Sequence, residues 1–171
     1  MKNMSTIVAL ALLAGPAIAQ PQPAPSPPMI VLPSPRGPAP FCVSGGCMNP
    51  VEAVTYASYL APKGGVAGDF EMQVQAVGTQ NGMVYLNSEK DYRDRNCLTI
   101  AMPLILAKGL FRAEDISGIE TKLKGKRITV RGIARQVRIN FLADGKPTGK
   151  YYFQVHVGVT SPTQIHVDDR G

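Results

Sequence analysis

The chain has 171 residues, 44% of them hydrophobic and 18% charged, with 18 Lys and Arg against 12 Asp and Glu for a formal charge of +6. Two atypical N-terminal segments leave 131 residues, 41–171, which exclude a two-domain enzyme and fit one domain able to bury a core without relying on disulfides. The basic balance excludes nothing by itself, but it directs attention to anionic partners.

Residues 1–19 have the pattern of an export signal. Lys2 is the positive n-region, the eight residues 7–14 are apolar, Gly15-Pro16 breaks the helix, and Ala17-Ile18-Ala19 supplies a small-x-small cleavage site. Cleavage after Ala19 is expected, with a periplasmic or secreted product of charge +5 (17 cations against 12 acids). That apolar run falls short of the roughly 20 residues needed to span a bilayer, so no transmembrane segment is expected. Cys42 lies far from the cleavage point, against a lipid-anchored N-terminus.

Residues 20–40 hold nine of the 15 prolines and form a Pro-rich linker expected to be disordered, because proline removes amide donors and restricts its predecessor. A plain spacer is the simpler reading, and a partner that recognises polyproline is the other. Met29-Ile30-Val31-Leu32 is its one apolar island, able to dock on the domain.

Residues 41–68 form a cysteine-containing collar. Cys42 and Cys47 enclose Val43-Ser44-Gly45-Gly46, a loop flexible enough to close a disulfide, which suits an oxidising compartment. Cys97 is then unpaired and is expected to be a small buried hydrophobe. The cysteines and the distant His156 and His166 lack metal-ligand spacing, so neither a metal nor a cofactor is expected. Asn49 as cap and Pro50 at the first position predict a helix over 51–60, with Val54, Tyr56 and Leu60 on its apolar face.

From residue 69 the pattern becomes that of strands. Phe70 to Ala76 alternates apolar and polar residues, and Asn81-Gly82 is a hairpin signal. Val84 and Leu86 then share one face, opposite Met83, Tyr85 and Asn87. A charged loop, 88–96, leads to a third strand over 97–102 with Leu98, Ile100 and Met102 inward, stopped by Pro103. Residues 104–123 carry helical spacing, with Glu114 and Asp115 early in a second segment. A long fourth strand starts at Arg127. Ile128 and Val130 have one parity and Val137, Ile139 and Phe141 the other, which predicts a bulge or glycine kink near Gly132-Ile133. After a turn-rich loop, 143–149, a fifth strand alternates from Tyr151 to Val159, followed by a short apolar tail, 164–167.

The predicted order is β-β-β-α-β-β, an all-β domain over 69–171 with a helical insertion. Together with Tyr85-Leu-Asn-Ser88, Asp91-Tyr-Arg93, Leu98-Thr-Ile100, the run 123–132 and Ser161 to Val167, it resembles the OB fold, a five-stranded Greek-key barrel. The Gly-Lys-x-Ile-x-Val-x-Gly and Pro-x-Gln-Ile-x-Val pieces resemble those of bacterial exported OB-fold proteins and of nucleic-acid-binding OB domains. The resemblance implies a binding face on strands two and three, with the loops joining strands one to two and four to five. Placed on this sequence, that face would use Tyr85, Asn87 and Thr99, with Arg93 and Arg95 from one loop, Lys146 and Lys150 from another, and Tyr152 from strand five. Single-stranded nucleic acid needs aromatic faces and cations, and a chain with no Trp looks short of the former.

Seven cations and no acid fall between Thr121 and Arg138: Lys122, Lys124, Lys126, Arg127, Arg131, Arg135 and Arg138. Alternation puts Arg127 and Arg131 on the outside as a basic stripe, which would attract an anionic ligand or simply solubilise a strand and blunt its edge. No nucleophile elbow, phosphate loop, dinucleotide fingerprint or zinc-protease motif is present. Glu89, Asp91 and Asp94 are interleaved with cations, as in a salt-bridged loop, and His156 has no recognisable catalytic partner, as in a surface histidine. The expectation is a non-catalytic binding module for an anionic ligand, single-stranded nucleic acid or an oligonucleotide first. The alternative is a periplasmic protein-interaction or envelope-stress module using the barrel surface and the Pro-rich arm. A hydrolase using the 89–94 loop is the weakest reading.

Overall fold

The computed structural model describes residues 41–42 and 46–168; the expected signal and linker lie outside them. Mostly β-sheet with a few helices, they run α1 (Pro50–Tyr59), β1 (Val66–Gln73), β2 (Ala76–Gln80), β3 (Met83–Asn87), β4 (Leu98–Pro103), α2 (Leu104–Phe111), α3 (Ile116–Leu123), β5 (Arg127–Ala143), β6 (Lys146–Gly158) and β7 (Ile165–Asp168). No helix among them is long and apolar enough to cross a membrane.

Asn49 caps α1 through a capping box, its side chain accepting from the Glu52 amide while the Glu52 carboxylate accepts from the Asn49 amide. The buried face of α1 differs from the one expected: Ala53 and Ala57 are sealed, while Tyr56 is 50% exposed. Small side chains allow the helix axis to lie close to the sheet; Val54, as expected, packs beside them against the core, and Val51, Tyr56 and Tyr59 are turned outward. Ahead of α1, Met48 pairs with β1 through its own amide to the Asp69 carbonyl, 2.9 Å, and the Glu71 amide to its carbonyl, 3.0 Å.

The strands make one seven-stranded sheet in the order β1-β5-β6-β4-β3-β2, with β7 also on β5. All pairings are antiparallel except β4 with β6. The two ends of this path, β1 and β2, are separated only by Val74 and Gln75. There the chain changes partner: the Val74 amide donates to Lys126 beside β5, and the Gln75 amide donates to Asn87 of β3. Parity changes at the same place. Phe70, Met72 and Val74 are buried, whereas Val77 pairs with the buried Leu86 and Ala76 with Asn87 on the other side.

The kink expected at Gly132-Ile133 is therefore a correction. β5 keeps its register with β1 from Arg127 to Ala134 and with β6 from Ala134 to Asn140, and the irregularity falls between Asn140 and Leu142. Gly132 meets a packing need instead, since a Cβ there would lie 2.8 Å from the Val157 Cγ1. The apolar parity changes along β5 because the core ends at Ala134. Beyond Gln136 β5 and β6 continue as a two-stranded ribbon, on which Ile139 and Phe141 face a cavity outside the core. The turn-rich 143–149 segment tightens to a two-residue turn, Asp144-Gly145, with φ of 52° and 73°.

Core side chains come from alternate positions of every long strand: Phe70, Val84, Leu86, Leu98, Ile100, Met102, Ile128, Val130 and Val157 are at most 1% exposed. Asn81 and Gly82, at φ 52° and 74°, form the expected hairpin turn. The helical stretch divides in two. Asp115 caps α3 by accepting from the Gly118 amide, and Lys122 donates to the Phe111 and Arg112 carbonyls at the end of α2. The tail is a strand, β7, whose Ile165 is buried.

Candidate ligand-binding face

The outward parity of the sheet is set by its register. Asn87 pairs with Thr99, Thr99 with His156, and His156 with Arg135, while Tyr85 lies one pleat along from Asn87 on β3 and Tyr152 lies opposite Ile139. These residues share one face, and the loop after β3 and the β5–β6 ribbon rise beside it. Between them is a cavity of about 500 Å³ lined by Tyr85, Asn87, Tyr92, Arg93, Thr99, Ile139, Phe141, Tyr152, Gln154 and His156, with Gly78 to Gln80 at its edge.

Rings dominate its walls. Tyr152 packs against Phe141 with centroids 5.3 Å apart, Tyr85 tilts against His156 at 5.9 Å, and the Arg93 guanidinium lies 4.6 Å from the Tyr92 ring centre. Gln154 connects loop to sheet. Its amide nitrogen donates to the Tyr92 carbonyl at 2.9 Å and to the Tyr152 hydroxyl at 3.2 Å, and its oxygen lies 2.8 Å from His156 Nε2. Burial pushes the Tyr152 phenol above its ordinary value, so it stays a neutral hydroxyl at pH 7, and burial pushes the His156 imidazole below its ordinary value.

The sequence-predicted residues divide. Tyr85, Asn87, Arg93, Thr99 and Tyr152 meet at the cavity. Asn87 and Thr99 are buried, at 6% and 2% exposure, because the Thr99 hydroxyl donates to the Asn87 carbonyl oxygen at 2.8 Å. Arg95, Lys146 and Lys150 are exposed and do not line it. Arg127 and Arg131 stand elsewhere, on the part of β5 that pairs with β1. Arg131 makes a two-pronged ion pair with Asp69, 2.6 and 2.7 Å, with the Phe41 ring 5.3 Å from its guanidinium, and Arg127 lies 3.6 Å from Glu71. The expected basic stripe is thus answered by acids of the neighbouring strand. Lys124 likewise pairs with Glu120, and Arg138 stacks 4.0 Å over Tyr151.

His156 is a second correction: it is half-buried in the cavity wall, not a surface histidine, since Tyr85 covers one side of its ring. Tyr92, Phe141 and Gln154 are among the other lining residues that sequence reasoning left unassigned. Gln154 and His156 share the parity of Tyr152, which is the signal that could have found them. The Glu89 to Asp94 loop closes on itself, with Asp91 accepting from the Arg93 amide and Asp94 from the Asn96 amide. Cys42 and Cys47 have Cα atoms 4.9 Å apart and sulfurs at disulfide distance, and the Cys42 amide donates to Asp69 at 3.0 Å. Cys97 is buried, as expected, beside Asn87 and Thr99.

Neither a family model nor a curated protein matches the chain. Among solved structures, an aspartyl tRNA synthetase from Entamoeba histolytica aligns at 19% identity over 65% of this chain and 20% of its own, with a TM-score of 0.36. A protein of Leishmania major Friedlin described as an aspartyl-tRNA synthetase aligns at 12% identity over 75% and 22%, with a TM-score of 0.37. The chain spans about a fifth of the length of either, and at these TM-scores the likeness decides neither fold nor ligand.

Proposed function

We propose that this chain is an exported, non-catalytic binding module in which an OB-like barrel binds single-stranded nucleic acid on its outer face. Support for the barrel comes from the sheet path: its end strands, β1 and β2, are halves of one bent segment, and with these counted as one strand the helices fall between the third and fourth, β7 being an addition after the fifth. Export rests on the 1–19 leader pattern, to which the Cys42–Cys47 pair is suited.

One observation carries the ligand. Tyr85, Tyr92, Phe141 and Tyr152 surround a single cavity with Arg93 at its side. Base–aromatic stacking contributes about 1–3 kcal/mol per base, and four of the eleven Phe and Tyr residues of the chain are at this place. With one cation at the cavity, stacking rather than phosphate neutralisation should dominate. Fluorescence anisotropy of a labelled single strand should therefore show a shallow salt slope, near the value of about −0.7 per neutralised phosphate. Tyr85→Ala and Tyr152→Ala should each weaken binding about tenfold or more. Binding untouched by both substitutions would refute the reading.

A protein-interaction module is the second reading, favoured by the opposite face of the ribbon, where Tyr151 and Phe153 are 49% and 50% exposed. Strand binding that survives Tyr151→Ala and Phe153→Ala but not Tyr85→Ala decides against it.

A further inference from the structure

We infer that the floor of the cavity distinguishes nucleobases, with the Asn87 amide nitrogen as hydrogen-bond donor and His156 Nδ1 as acceptor. This rests on the strand-binding reading and adds selectivity to it, since stacking alone is tolerant of base identity.

Asn87 is 6% exposed, and its oxygen is engaged by the Thr99 hydroxyl at 2.8 Å, with the Cys97 thiol 4.0 Å away. With its oxygen on the Thr99 hydroxyl, the amide leaves its nitrogen, with two hydrogens, bonded to none of the described residues. Among the described residues no side-chain nitrogen or oxygen is sealed from solvent without a partner. The Asn87 nitrogen therefore opens into the cavity that Asn87 lines. A donor held in a nearly buried position, and met by none of the described residues, is satisfied when a ligand presents an acceptor there.

His156 supplies the complement. The Gln154 amide nitrogen already donates twice, so its oxygen faces His156 and accepts from Nε2–H. In the neutral ring the proton is then on Nε2, and Nδ1 carries the lone pair. Asn87, Thr99 and His156 are successive register partners on β3, β4 and β6, so the backbones of Asn87 and His156 stand two strand spacings, roughly 10 Å, apart on one face. A base seated on this face of the cavity meets both groups. It needs an acceptor toward Asn87 and an N–H toward His156. The natural bases differ in where they carry these groups, so the pair discriminates among them.

The test uses the full chain and labelled single strands of equal length, each a homopolymer of one base, with an abasic strand as control. The wild-type protein should prefer one homopolymer by on the order of tenfold. His156→Phe keeps a ring against Tyr85 but removes the acceptor, and Asn87→Ala removes the donor. Each should flatten the preference among the four homopolymers, with the abasic strand reporting any general loss of binding. Should Asn87→Ala not fold, His156→Phe alone decides. Equal wild-type binding of all four homopolymers, or a preference that survives His156→Phe, overturns the inference while the strand-binding reading stands. Binding of no strand at all overturns both.

Discussion

Gln154 and His156 lie on the same face of β6 with the Gln154 oxygen 2.8 Å from His156 Nε2, and the other end of the same amide holds the Tyr92 carbonyl and the Tyr152 hydroxyl. A single side chain thus fixes the tautomer of the histidine and ties the 88–97 loop to the ribbon. Gln154→Ala should free Tyr92 and widen the cavity. Amide exchange at residues 91–95 should rise by about tenfold, while exchange in β4 is unchanged.

Burial holds the His156 pKa below its ordinary value of 6.5, so the unfolded chain binds this proton more readily than the folded one. Stability attributable to His156 is fully present above pH 6.5 and is lost as pH falls from there toward the lowered folded value. Urea melts between pH 7.5 and 5 should show this decline, and His156→Phe should reduce it. Nuclear magnetic resonance titration of the imidazole checks the direction of the shift independently.

Arg93 and Arg127 separate a ligand cation from a structural one. Arg93→Ala should weaken strand binding several-fold and reduce the salt slope by about 0.7, the contribution of one phosphate. Arg127→Gln, which removes a partner of Glu71 on another part of β5, should leave affinity within about twofold.

Asp69 ties the cysteine loop to the sheet. Its carboxyl is held below the ordinary 3.8, first by the hydrogen bond from Arg131 and also by the Cys42 amide, against a burial effect of opposite sign. The stability it contributes is present above pH 3.8 and is lost as pH falls through the lowered folded value. Asp69→Asn should cost about 1 kcal/mol at pH 7, because Arg131 is partly solvated, and should leave strand affinity unchanged.

Gly65 has φ of 102°, and a Cβ there would collide with the Ala134 carbonyl oxygen. Gly65→Ala should lower stability by about 2 kcal/mol or more, measurable as a shift in denaturation midpoint with an unchanged slope.

Local chemistry was legible in the sequence wherever partners are neighbours. The Asn49 cap, the Asn81-Gly82 turn and the inward faces of β3 and β4 all depend on residues within a few positions of each other. The partners of Arg127 and Arg131 were not legible because they are remote: Asp69 is 62 residues from Arg131, and cross-strand register alone brings them together. The parity change on β5 was seen correctly but assigned to the wrong cause, since alternation cannot tell a bulge from a strand that outruns its core. Val74 and Gln75, the real place of the partner change, sit in what reads as one uninterrupted strand. Tyr92 and Gln154, also 62 residues apart, could be joined only once the loop and β6 were seen to meet.

The central claim is that the face formed by β3, β4 and β6 takes the strand, and heteronuclear chemical-shift mapping with an unlabelled single strand tests it most directly. Perturbations should concentrate at Tyr85, Asn87, Arg93, Thr99, Tyr152, Gln154 and His156. Perturbations confined to Arg127 and Arg131, or to Tyr151 and Phe153, with the cavity residues unmoved, would contradict it.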